Sequence, residues 1–198
     1  MSELLAKASG QVHADYHAFH LANSGEYVQP PFHPENGLVF SRPGLAVVLT
    51  GVNSGPVRVT VEVYRRAVPP PGPDEAWDEV VDHSVQSISG DMRVVALMDT
   101  CPELPVLTPF GPADYRIRVH ARGRDQGPDA HVTEPVEDYL LQVWPGRREP
   151  DLVHRQNDRY GQISRDAVQG QPEQAAPPAP PGDDWKRAAR ARLNRRNT

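Results

Sequence analysis

The feature that most constrains the fold is a strict alternation of valine with polar residues between Pro56 and Tyr64. Successive side chains of a β-strand point to opposite faces, whereas a helix would scatter these valines around its circumference. The segment therefore predicts a half-buried strand. The alternating valines are Val57, Val59, Val61 and Val63.

Residues 114–123 repeat this pattern with aromatic and aliphatic residues on one face and cationic residues on the other. The predicted inward residues are Tyr115, Ile117, Val119 and Ala121. The predicted outward residues are Arg116, Arg118, His120 and Arg122. We name these four the cationic row. It predicts either a binding face for a phosphate or an acidic partner, or a solvated surface whose charges pair across strands with residues such as Glu62 or Glu137.

Weaker strand signals occur at residues 44–52, 81–88, 91–99 and 138–144, and residues 12–21 fit a strand or a short helix. Turn residues at 53–56 and 89–90 predict that 44–52 pairs with 56–64 and that 81–88 pairs with 91–99. Prolines fall between these segments, as expected for loops that join strands. The sequence predicts an all-β fold, an antiparallel β-sandwich of seven or eight strands over residues 10–150.

The last quarter of the chain has a different composition. Residues 169–182 read QGQPEQAAPPAPPG, which cannot bury enough apolar surface to order itself, so residues 151–182 are predicted to be a disordered, proline-rich linker. Residues 183–198 predict a short basic helix with a thin apolar stripe. Its candidate partner-binding residues are Trp185, Lys186, Arg187 and Arg190.

The net charge of −5 divides unequally along the chain. Residues 1–182 carry a formal charge of −9 and residues 183–198 carry +4, so an acidic body precedes a basic tail. The acidic balance disfavours nucleic-acid binding through the body and leaves it open through the tail. No apolar run is long enough for a membrane helix, and the lone Cys101 and the absence of a secretory leader indicate a cytoplasmic protein.

The densest group of metal-ligand side chains is His13, Asp15, His17 and His20. On a helix the three histidines would share a face and could bind a metal ion. On a strand His13, Asp15 and His17 would share a face instead, with the histidines about 13 Å apart at the usual rise per residue. The alternative is an aromatic-rich first strand whose polar residues point outward.

Two segments resemble a family of small bacterial proteins without an established function. Residues 111–123, GPADYRIRVHARG, resemble its G-x-Y-R-v-R-v-x-A-x-G segment, and residues 137–145, EDYLLQVWP, resemble its E-x-Y-L-l-Q-x-W-P ending. The resemblance covers residues 12–146. The family's architecture is distantly similar to the competence-associated nuclease inhibitors, which implies a non-catalytic, protein-binding role, and no inhibitory residue matches.

The chain lacks the common motifs of hydrolases, metalloproteases and nucleotide-binding proteins, and no catalytic residue or cofactor is predicted. The leading hypothesis is a non-enzymatic, cytoplasmic protein-binding module, immunity- or inhibitor-like, whose acidic body covers a basic partner. One alternative is a small metal-dependent enzyme or sensor that uses the histidine cluster. Another is a nucleic-acid adaptor that acts through the basic tail.

Overall fold

The computed structural model describes residues 2–25, 30–72, 76–97 and 101–169. Within these residues the chain forms ten strands and one helix. The elements are β1 Leu4–Asp15, β2 Ala18–Ala22, β3 Val39–Arg42, β4 Leu45–Leu49, β5 Ser54–Tyr64, β6 Glu79–Ser87, β7 Arg93–Val95, β8 Ala113–Arg122, β9 Asp138–Pro145, β10 Leu152–Gln156 and α1 Arg159–Gln169. The predicted all-β class is confirmed.

The strands form a single sheet in the order β10-β6-β8-β9-β5-β1-β2-β4-β3, with β7 paired to β2. All pairs are antiparallel except β5 with β9, which run parallel. The sheet curls, so that β3 and β4 contact β6. The turn between β3 and β4 is fastened there, because the backbone N–H of Gly44 donates to the carbonyl of Gln86 at 2.9 Å.

The two alternating segments become the long central strands β5 and β8. All four valines of β5 are at most 1% exposed and pack with the inward residues of β8 in the hydrophobic core. Burial of this kind stabilises the fold by about 1.5–3 kcal/mol for each large aliphatic side chain. No helix of the described residues is long and apolar enough to cross a membrane.

The two predicted hairpins are wrong. Strand β4 pairs with β2 and β3, while β5 pairs with β1 and β9. Residues 50–55 connect two strands that do not pair with each other. Within this connection Gly55 has a φ of +138°, and a Cβ atom on it would lie 2.3 Å from the carbonyl oxygen of Val132. Strand β7 pairs with β2 rather than with β6. Turn residues show where the chain turns, but the partner of each strand depends on long-range packing.

The ordered structure continues past the predicted domain boundary at residue 150. Strand β10 pairs with β6, and helix α1 follows directly. The helix begins with a defined cap, because the Asp158 carboxylate accepts the Gly161 N–H at 2.7 Å and Asp125 accepts the N–H groups of Arg159 and Tyr160. The Asp125 contacts join residues 34 and 35 positions apart in the sequence, so local periodicity did not predict them. The remainder of the predicted linker and the basic tail lie outside the described residues.

Candidate functional site

Three loops meet at one end of the sheet, formed by residues 15–18, 50–54 and 124–132; we name this region the loop end. Backbone hydrogen bonds tie the loops together. His17 N–H donates to the Asn53 carbonyl at 3.0 Å, and Asp129 N–H donates to the Gly51 carbonyl at 2.9 Å. The loops pack so closely that a Cβ atom on Gly51 would lie 2.0 Å from the carbonyl oxygen of Arg124. The three segments therefore form one surface.

The loop end concentrates backbone strain. Among the described residues, the non-glycine positions with positive φ are Tyr16 at 53°, His17 at 62° and Asp129 at 60°. All three lie in this surface. Left-handed backbone costs an L-amino acid roughly 1–2 kcal/mol, and such strain tends to persist where function requires it. The tip of the β1–β2 turn is thus a strained position that presents specific side chains.

The side chains at this tip face solvent around a small hydrogen-bonded cluster. Tyr16 is 78% exposed, and the side chain of Asp129 is 80% exposed. The Asn53 amide donates to Asp129 Oδ1 at 3.1 Å and lies 3.1 Å from His17 Nε2. The His17 ring stacks on Tyr160 with ring centroids 5.9 Å apart. An exposed tyrosine beside an ordered polar cluster has the character of a protein-binding hot spot.

A buried ionic network supports the loop end from below. Arg124 is fully buried and binds the Asp158 carboxylate through two hydrogen bonds, at 2.6 and 2.9 Å. A third hydrogen bond joins its guanidinium to the Gly37 carbonyl at 3.0 Å. Such a buried pair is costly to break. It holds the start of the 124–132 loop against helix α1. The neighbouring β1–β2 turn therefore packs on a loop whose position is fixed.

A second buried carboxylate holds the 50–54 loop. Glu137 accepts the N–H of Val52 at 2.6 Å, that of Gly51 at 3.2 Å and the hydroxyl of Tyr139 at 2.5 Å. Burial raises the pKa of Glu137, against the lowering effect of these hydrogen bonds. Burial, together with the nearby Glu137 charge, also raises the pKa of Tyr139 well above its usual value. These groups are inaccessible and serve to position the loop.

The surface of the loop end is acidic along its longest loop. Between Asp125 and Glu134 the sequence has three carboxylates and no lysine or arginine. Asp125, Asp129 and Glu134 are all exposed. The neighbouring cations Arg58 and Arg122 are already paired with Asp138. A negative field beside an exposed tyrosine suits a partner with a basic surface.

The histidine cluster does not converge. Residues 12–21 are two strands with a turn at Tyr16 and His17, so the predicted shared helix face is wrong. His13 Nε2 lies 3.2 Å from Ser54 Oγ and 3.7 Å from Asp15 Oδ1, while His20 is buried in β2. His17 lies at the loop end. Among the described residues, no group of three or more His, Cys, Asp or Glu side chains is arranged to hold a metal ion.

The cationic row is mostly interior, so the predicted solvated face is wrong for three of its four residues. Arg116, Arg118 and His120 are 5%, 3% and 1% exposed. Arg118 binds Asp82 through two hydrogen bonds, at 2.6 and 3.0 Å. Segments outside β8 cover this face. The carbonyls of Glu149 and Pro150 accept hydrogen bonds from Arg116, the Pro69 carbonyl accepts one from Arg118, and the Trp77 ring contacts His120. Arg122 alone remains exposed.

The tail candidates Trp185, Lys186, Arg187 and Arg190 lie outside the described residues. The sequence alone did not predict that Tyr16 and Asn53 lie against the 124–132 loop. The available signal was local: a Tyr-His pair between two apolar runs and an Asn-Ser-Gly turn. Neither pattern shows that the two turns share a surface.

Comparisons with known proteins give one distant likeness. No protein-family model matches the chain, and no curated protein is significantly similar to it. Among solved structures, the chain is similar to the crystal structure of ComJ, inhibitor of the DNA degrading activity of NucA, from Bacillus subtilis. The similarity covers 74% of this chain and 99% of that chain, with 9% identity and a TM-score of 0.49.

Proposed function

We propose that the chain is a protein-binding module, inhibitor-like in kind, that contacts a basic partner through the loop end. The observation that carries the proposal is that strained backbone, an exposed tyrosine and negative charge occur together at the loop end. The described non-glycine residues with positive φ lie there. They include the exposed Tyr16 and Asp129, and the 124–132 loop also carries the exposed carboxylate of Asp125. Binding at such a surface needs no catalytic group, because the protein acts by covering its partner.

The rigidity of the loop end and its acidic charge both support this role. The strained residues stand on the buried Arg124–Asp158 pair and on the Glu137 hydrogen bonds, so little flexibility remains to be lost when a partner binds. An acidic surface speeds the encounter with a basic partner and makes the association sensitive to salt. The chain resembles a bacterial family whose architecture is distantly similar to nuclease inhibitors, so nucleases are the partner class to test first.

The test compares Tyr16, at the loop end, with Phe110, an exposed aromatic residue outside it. The full chain, a Tyr16→Ala variant and a Phe110→Ala variant serve as baits in cell extract, and captured proteins are quantified by mass spectrometry. Phe110 is the matched control, because it is 45% exposed and precedes the start of β8, away from the loop end. A specific partner is one captured by the full chain and by Phe110→Ala but lost with Tyr16→Ala.

Affinity measurements on that partner complete the test. Loss of a tyrosine hot spot costs at least about 2 kcal/mol, which is roughly 30-fold in Kd. Asp129→Asn should lower the association rate and reduce its dependence on salt. If the partner is a nuclease, addition of the full chain should also inhibit DNA degradation. Equal capture by all three baits would overturn the proposed surface.

The two other hypotheses receive less support. The metal-dependent alternative needs His13, Asp15 and a further histidine to converge, and no group of three such side chains is arranged to hold a metal ion among the described residues. The nucleic-acid adaptor rests on residues 183–198, which lie outside the described part of the chain, and stays a prediction.

A further inference from the structure

A groove beside strand β3 holds a serine, a histidine and an aspartate in a chain of hydrogen bonds. Ser41 Oγ lies 2.7 Å from His83 Nε2, and His83 Nδ1 lies 2.7 Å from Asp151 Oδ1. The residues come from β3, from β6 and from the position before β10. They are 42 and 68 residues apart in the sequence, so no local motif could reveal them.

The aspartate is fixed and ionised. The side-chain N–H₂ of Asn36 donates to Asp151 Oδ2 at 2.5 Å, and its side-chain oxygen Oδ1 accepts the N–H groups of Leu38 and Val39. Although burial raises the pKa of Asp151, the hydrogen bond from His83 leaves it below its usual value. An ionised Asp151 keeps the imidazole proton on Nδ1, and Nε2 is then the acceptor that faces the Ser41 hydroxyl. The Ser84 carbonyl is a second acceptor for that hydroxyl, at the longer distance of 3.2 Å.

The trio opens onto a space suited to a small ligand. Ser41, His83 and Asp151 line a groove of about 670 Å³, together with the polar side chains of Arg148 and Gln156, and pockets of this size hold small molecules. The side chains of His83 and Asp151 are 14% and 31% exposed, so the trio is sheltered but reachable. If these three residues served only to hold strand β3 at the edge of the sheet, an open groove beside Ser41 would not be needed.

We propose that Ser41, His83 and Asp151 form a nucleophilic triad that cleaves a small polar carboxylic ester. Ser41 Oγ bonds to the ester carbonyl carbon while its proton passes to His83 Nε2. The ester C–O bond then breaks, and His83 returns the proton to the leaving oxygen, which releases an alcohol and leaves acyl-Ser41. The Arg148 guanidinium, which lines the same groove, supplies positive charge for the transient oxyanion.

Water completes the cycle. A water molecule gives a proton to His83 and attacks the acyl carbon, and the bond to Ser41 Oγ breaks. His83 returns the proton to Ser41, and a carboxylic acid leaves. Asp151 is a positioning residue throughout, since it orients the imidazole and stabilises its protonated form. This activity is separate from the proposed partner binding and shares no residue with the loop end.

A fluorophosphonate probe tests the triad on the full-length protein. The Ser41 oxygen would form a P–O bond as the P–F bond breaks, with fluoride released and the proton taken by His83. Peptide mapping should place the adduct on Ser41 of the wild-type protein, a readout that needs no variant to fold. Ser41→Ala should abolish the adduct, and His83→Gln should slow its formation about 10²- to 10⁴-fold.

Controls separate this result from nonspecific labelling and from the partner-binding proposal. Ser9→Ala removes an exposed serine on β1 and should label at the wild-type rate. Tyr16→Ala should also label normally, so the two proposals fail independently. Wild-type protein that reacts should also release p-nitrophenol from p-nitrophenyl acetate. No adduct on Ser41, equal rates with His83→Gln, or equal labelling of urea-unfolded protein would each show that the trio is only a structural brace.

Discussion

At the scale of single residues, the left-handed backbone at the loop end lowers stability and fixes the positions of its exposed side chains. Tyr16 and His17 hold a left-handed backbone that glycine would adopt at little cost. Tyr16 buries little of its ring in return, since it is 78% exposed. A residue that is strained and exposed contributes little to folding, so its presence is best explained by contact with a partner.

Substitutions of Tyr16 should therefore change the free energy of unfolding and the affinity for the partner in different ways. Tyr16→Gly should raise the free energy of unfolding by about 1 kcal/mol, because it relieves the left-handed strain, yet it should lose partner binding. Tyr16→Ala should lose binding without that gain, since alanine keeps the strain. Urea unfolding of the three proteins measures the difference. A Tyr16→Gly protein that is markedly less stable than Tyr16→Ala would show that the turn is not strained.

Also at this scale, the buried carboxyl of Glu79 predicts a dependence of stability on pH. Burial and the Asp158 charge raise the pKa of Glu79 to about 8, against the opposing effects of Arg124 and Arg165. The unfolded chain releases this proton near 4.5, so the stabilisation is complete below that pH and is lost as pH rises through about 8. Each unit of pKa difference is worth about 1.4 kcal/mol.

Glu79→Gln mimics the protonated carboxyl and tests this assignment. Between pH 5 and 8 the free energy of unfolding of the wild-type protein should fall relative to that of the variant, by a few kcal/mol in total. Urea titrations at several pH values give both curves. Parallel curves would mean that Glu79 stays ionised within its network.

At the scale of elements, the strands follow from side-chain alternation, whereas their partners do not. Val57 to Val63 and the inward residues of β8 predicted two central strands, because one apolar face is a local property. The parallel pairing of β5 with β9 and the contact of β3 with β6 depend on segments far apart in the chain. The burial of the β8 cations is not predictable from β8 itself for the same reason, since the residues that cover them, such as Pro69 and Glu149, lie elsewhere in the chain.

Strand β10 and helix α1 also depend on contacts with distant residues, and their loss by truncation should lower stability. A chain that ends at residue 150 lacks Asp158, which leaves the buried Arg124 charge without its main partner. Removal of one member of a buried pair costs about 3–5 kcal/mol, so this truncation should unfold at a much lower temperature. A chain that ends at Gln169 keeps all ten strands and the helix and is the control. We predict that its Tm is close to that of the full chain. Similar Tm values for both truncations would contradict the role of β10 and α1.

At the scale of the whole molecule, a mostly β fold places the two proposed sites on different segments. The loop end consists of the β1–β2 and β4–β5 turns and the loop after β8, whereas the Ser41 groove lies beside β3, β6 and the start of β10. Neither site was recognisable as a sequence motif, because each is assembled by long-range pairing. The sequence did predict the all-β class and the acidic body, and both properties bear on how the chain would meet a basic partner.

Amide hydrogen exchange of the full chain, with and without the captured partner, shows whether the partner binds the loop end. We expect binding to slow exchange in peptides covering residues 15–18, 50–54 and 124–132, and this protection to weaken as salt is raised. Peptides around Ser41 and around Phe110 should exchange at the same rate in both states. Protection confined to those other peptides, with none at the loop end, would rule out the loop end as the binding surface.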